Sequence, residues 1–147
     1  MIENATFYIP DPTVFGTKLF DRFPEINSAQ PFSTEEVATG MLLETTWGEI
    51  KFNVMPPEQM GPHLNSFANF IHQHCPVKSD DMYMRGRLTH VRWVLGCNIK
   101  HEPNQQQTVG QFLLRFNDQL NGTLFFDNTV WDWNGKPMVG RYAERPT

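Results

Sequence analysis

The sequence predicts a single α+β domain over residues 1–147: a mixed, mostly antiparallel sheet with two to three helices packed on one face. Three observations carry that reading. First, Val91, Trp93, Leu95, Cys97 and Ile99 alternate with Arg92, Val94, Gly96, Asn98 and Lys100, the period of two of a strand with one face on a core. Second, Val109, Phe112, Leu113, Phe116 and Leu120 recur at helical spacing between Asn104 and Asn121-Gly122, a fair N-cap and a helix-ending pair. Third, Trp47-Gly48 and Asn134-Gly135 sit between short apolar runs, where a glycine permits the positive φ of a tight hairpin.

Taken in order, Thr6 to Ile9 reads as an opening strand ended by Pro10. Asp11-Pro12 starts a helix carrying Val14, Phe15, Leu19, Phe20 and Phe23, closed by Pro24. Residues 25–36 lack periodicity and contain Pro31, so they are expected to be a loop and a candidate lid. Met41–Thr45 and Ile50–Val54 form the two arms of a hairpin, with Ile50, Phe52 and Val54 facing the core. Met60, Leu64, Phe67, Ala68, Ile71 and Cys75 then mark a helix stopped by Pro76.

Residues 77–88 permit one short helix capped near Ser79-Asp80-Asp81, although Gly86 argues against a long one. The strand–helix–strand unit of residues 90–126 follows. Asn128 to Trp133 reads as a strand, and Met138-Val139 returns from the Asn134-Gly135 turn. The expected order is β-α-β-β-α-β-α-β-β, and residues 139–147 are expected to be a frayed tail.

Composition narrows the function classes. Twelve Phe and four Trp imply an aromatic-heavy core. Two cysteines make no disulfide framework, and Cys75 and Cys97 both fit small buried hydrophobes. No apolar run approaches the ~20 residues needed to span a membrane. The first residues lack the basic and apolar regions of a signal peptide, so a soluble cytoplasmic protein is expected. Residues 1–77 hold nine acids and three bases, whereas residues 78–147 hold seven and nine. The five bases between Lys78 and Lys100 read either as an anion-binding face or as the solvated side of a strand. The clustering is too weak for nucleic acid.

Chemistry-bearing motifs are scarce. None of the four serines sits in a nucleophile elbow. Cys97 and His101 share a strand face but stand roughly 13 Å apart at ~3.3 Å per residue, too far to pair. His72 and Cys75 could touch on a helix but lack an orienting group. His72 and His74, two apart, point to different sides of a helix, so no metal site is expected. Glycines are scattered as turn residues, without a phosphate loop, and no cofactor is expected.

One lead is aromatic. Trp131 and Trp133 lie two apart on one strand face, and with Phe126 and Val130 turned to the helices both indoles would reach an open side of the sheet. Paired exposed indoles suit a sugar ring, a peptide or a second subunit. Trp47, at a hairpin tip, is a further binding candidate. The first expectation is therefore a non-enzymatic interaction domain, working as a homodimer or on a protein partner. The alternative is a small hydrolase-like enzyme whose Arg85, Arg87 and His90 bind an anion in a cleft between the 25–36 loop and the 77–90 segment.

Overall fold

The computed structural model describes residues 1–143. Eight strands form one antiparallel sheet: β1 Ile2–Ile9, β2 Ile26–Phe32, β3 Gly40–Thr45, β4 Gly48–Val54, β5 Trp93–His101, β6 Thr123–Phe126, β7 Thr129–Trp131 and β8 Pro137–Gly140. Four helices accompany them: α1 Thr17–Phe20, α2 Pro57–His74, α3 Lys78–Leu88 and α4 Gln106–Leu120. The spatial order is β2-β3-β4-β5-β1-β6-β7-β8. This is the expected α+β class, and its elements give β-α-β-β-β-α-α-β-α-β-β-β.

The central unit forms as its periodicity requires, with one addition. β5 and β6 both run antiparallel to β1, which slots between them. They are therefore parallel to each other without being neighbours, and α4 crosses over the first strand of the chain. Asn121 ends α4 in the left-handed conformation at φ 50°. The backbone N–H of Gly122 then donates to the Asn117 carbonyl at 3.1 Å.

The helices do not share one face. Ala5, Phe7, Ile9, Leu95, Cys97 and Ile99 pack with Val109, Phe112, Phe116 and Leu120 of α4 and with Leu19 and Phe20 of α1. Tyr8, Val94, Val130 and Val139 pack on the other side with Phe67 and Ile71 of α2 and Met84 and Leu88 of α3. Consecutive residues Phe7, Tyr8 and Ile9 are all buried. A strand buried on both sides must be covered by two layers.

Other expectations need correction. Residues 26–32 are a strand, not a loop: β2 is an edge strand whose residues are all half-buried or exposed, so it carries no apolar alternation. The Asp11 carboxylate does cap a turn, accepting from the Thr13 N–H at 3.0 Å. That turn is a short 3-10 segment, however, and the α-helix is only four residues long. Residues 78–88 form a full helix despite Gly86. The expected frayed tail begins inside the sheet, since Val139 is fully buried in β8 and Ala143 is buried beside it. Residues 144–147 of that tail lie outside the described residues.

Candidate functional site

The expected alternation of faces runs unbroken from Phe126 through Val130 to Trp131 and Trp133, but the chain turns first. Asp127 and Asn128 both take φ near +55°, a two-residue turn of the kind that matches strand twist. Phe126 therefore pairs with Thr129, and Leu124 with Trp131. This resets the alternation: Phe126 and Trp131 turn toward α4, while Val130 joins the α2–α3 side. The indoles accordingly do not project onto an open sheet face.

They nevertheless stay together. Trp131 ends β7 half-buried against the α4 core, and its Nε1–H donates to the Phe126 carbonyl at 3.1 Å. Asp132, the next residue, turns inward to Tyr83, whose hydroxyl donates to Oδ2 at 3.0 Å. Trp133 follows and remains 40% exposed, with its side chain close to the Tyr83 hydroxyl of α3 while the residue borders a hollow with Leu114, Arg115 and Asp118 of α4. Leu114 of α4 lies between the hollows that the two tryptophans line.

The Trp131 hollow is a cleft of about 420 Å³ between the exposed flank of α4 and the β6–β7 turn. Phe126, Trp131 and Tyr142 supply its aromatic walls, and Gln106, Gln107 and Gln111 line its helical side. Tyr142 packs on Trp131 with ring centres 5.6 Å apart. Its hydroxyl donates to Asp127 Oδ2 at 2.8 Å, and that hydrogen bond, reinforced by desolvation, raises the phenol above its ordinary range. Arg141 Nη1 donates to the other Asp127 oxygen at 3.1 Å. The carboxylate is thus matched by a cation and fixed in place.

Gly110 lines the same cleft, and a side chain placed there would meet open space. A glycine inside a helix costs about 1 kcal/mol relative to alanine. No neighbour requires this one, so its effect is on the depth of the cleft.

Trp47 stands in the β3–β4 turn as expected but is not displayed there. Only 5% of its surface is exposed, and its ring stands edge-on to Phe112 with centres 5.4 Å apart. A large aromatic beside an aromatic core gains more from burial than from display.

The three residues of the alternative reading do not converge. Arg85 and Arg87 are two apart on α3 and therefore point to different sides. Arg85 forks onto Asp81 at 2.8 and 3.0 Å, where His72 Nδ1 also meets that carboxylate at 3.0 Å. Those two partners, Arg85 foremost, hold the Asp81 carboxyl below its usual range. Arg87 donates to the Asn121 carbonyl at 2.7 Å and lies 3.6 Å from Asp132. Arg87 and His90 do line one small hollow of about 230 Å³ with Tyr8, Asn121 and Thr123. No residue of 25–36 borders it, because β2 lies at the far edge of the sheet. Among the described residues, the hollow at Arg87 and His90 is therefore not the expected cleft between those two segments.

His72 faces Asp81, whereas the Cys75 thiol donates to the Val77 carbonyl at 3.4 Å, so these two do not pair. Burial pushes both thiols above their ordinary range, that of the fully enclosed Cys97 furthest. Neither is poised as a nucleophile. Among the described residues, no helix is long and apolar enough to cross a membrane. No family model, curated protein or solved structure matches this chain. The reading of the site therefore rests on its own chemistry.

The sequence did not single out the glutamines, Gly110, Phe126 or Tyr142 as lining residues. A usable signal was present: Gln106, Gln107 and Gln111 leave the exposed flank of α4 uncharged around a glycine. An ordinary solvated helix face is laced with charge.

Proposed function

We propose that this chain is a non-enzymatic binding domain whose site is the cleft bounded by Phe126, Trp131, Tyr142 and the glutamine flank of α4, and that the cleft takes a sugar ring. The observation that carries this is the pairing of aromatic faces with carboxamides around a space kept open by Gly110. A pyranose has an apolar C–H face and a rim of hydroxyls that both donate and accept. Aromatic planes match the first, and glutamine side chains, which also do both, match the second. The cleft offers a charged ligand little, because Asp127 already has Arg141 and the Tyr142 hydroxyl.

Titrating isotope-labelled protein with neutral monosaccharides, followed by NMR, tests the reading. Shifts should concentrate at the Trp131 indole and at Gly110. The variant Gly110→Leu should fill the cleft and abolish those shifts. It should leave the fold as stable or up to about 1 kcal/mol more stable, since leucine is the better helix former. Unaltered spectra with every sugar would discard the proposal. Concentration-dependent sedimentation that Gly110→Leu abolishes would assign the cleft to a second copy of the chain instead.

A further inference from the structure

The Trp131 cleft does not end at Leu114. That residue also borders a second, shallower hollow of about 410 Å³, lined by Arg115, Asp118, Trp133, Asn134 and Gly135. The two hollows follow one flank of α4, from Gln106 and Gln107 at its start to Asp118 near its end. Gln107, Gln111, Leu114 and Asp118 are spaced by four, three and four, so they form one stripe along the helix. From Gln107 to Asp118 the groove runs about 16 Å at ~1.5 Å per residue, enough for about three linked pyranose rings.

We infer that the ligand is a linear, neutral oligosaccharide lying along α4, with Trp131 and Trp133 as stacking platforms for separate rings on either side of Leu114. This rests on the sugar reading of the first cleft and adds ligand length and a second subsite. Three features favour a chain over a single ring. Trp131 and Trp133 flank Asp132 and border neighbouring hollows on either side of Leu114. Trp133 is 40% exposed, so part of its indole is available to a ligand. At the rim of the second hollow Arg115 is already paired to Glu25 and set against the rings of Phe23 and Phe112, which leaves it little charge to offer an anion. A hydroxylated chain suits that rim better than an ionic polymer does.

The other occupants considered fit less well. A charged polymer would find Asp127 already matched by Arg141 and Arg115 already matched by Glu25, and an acidic one would also meet Asp118. A neutral chain needs no free counter-charge.

The test is calorimetric titration with neutral oligomers of glucose, xylose, mannose and N-acetylglucosamine, each from one to six units long. For at least one series, affinity should climb with length up to about three units and then level off. Trp133→Ala should remove that gain, about fivefold to tenfold, while single-ring affinity stays within about twofold. Trp133→Phe should restore part of the gain because it keeps a ring. Trp133 is exposed, so neither variant should disturb the fold, which circular dichroism checks. Affinity independent of length, or a Trp133→Ala loss equal for one ring and three, would overturn the second subsite while leaving the first cleft standing. Binding of no saccharide of any length would overturn both.

Discussion

A single partly buried pair illustrates how one residue ties the fold to pH. The Tyr8 ring stacks on Phe67 at 4.2 Å, and its hydroxyl meets His63 Nε2 at 2.8 Å. Burial keeps His63 below its ordinary range and Tyr8 well above its own. Imidazole and phenol are therefore both neutral near pH 7, and the hydroxyl donates to the ring nitrogen. The unfolded chain binds the histidine proton more readily than the folded one does. This contribution to stability is therefore present above the ordinary histidine value of about 6.5 and is lost as pH falls through it toward the lower folded value. Replacing His63 by Gln keeps an acceptor for Tyr8 and removes the titration. Urea unfolding midpoints measured from pH 8 to pH 5 should fall less steeply for His63→Gln than for the parent. Parallel curves would show that His63 does not carry this dependence. Gly48 is a second single-residue constraint. At φ +154° its missing side chain would meet the Lys100 carbonyl at 1.9 Å. Gly48→Ala should therefore push β4 off β5 and cost roughly 2 kcal/mol or more in thermal unfolding.

Elements were legible in the sequence where burial is one-sided, and obscure elsewhere. α2 and α4 follow their apolar periods because each buries one stripe, and β5 alternates from Leu95 to His101, where Gly96, Asn98 and Lys100 are not buried. β2 shows no period because it is exposed at the sheet edge, and it carries Pro31, which edge strands tolerate. α3 buries only Asp81, Met84 and Leu88, too few to register as a stripe. The turn at Asp127-Asn128 hid the site most effectively. Read as part of one unbroken alternation, it sends both indoles to the wrong side. Read as a two-residue turn, it turns Phe126 and Trp131 toward α4, where they wall the same cleft. The turn itself is testable, since both of its residues hold a left-handed backbone. Asn128→Gly should be neutral or stabilising by up to about 1 kcal/mol, whereas Asn128→Val should destabilise by about 1–2 kcal/mol. Melting temperatures settle this, and a valine variant as stable as the parent would rule out the turn conformation.

For the whole molecule, the decisive feature is one sheet shared by two cores. The run Phe7-Tyr8-Ile9 already signalled it, because three consecutive large apolar residues cannot all face one layer of helices. Phe116 sits at the centre of the α4 side, against the rings of Phe7, Phe20, Phe23, Phe52 and Phe112. Ile71 is fully buried on the opposite side. Neither core can be lost alone, since Phe7 and Tyr8 are adjacent in β1 and anchor one core each. Phe116→Ala should cost about 3–5 kcal/mol and Ile71→Ala about 2–5 kcal/mol, against a total of about 5–15 kcal/mol for a domain of this kind. Each variant should still unfold in one transition, with tryptophan fluorescence and far-ultraviolet dichroism superimposed. This comparison discriminates because Trp47, Trp93 and Trp131 all belong to the Phe116 core, so fluorescence chiefly reports that side while dichroism reports all four helices. If Phe116→Ala shifts the fluorescence transition alone, the two layers fold as separate units, and the sheet between them is a boundary rather than a bond.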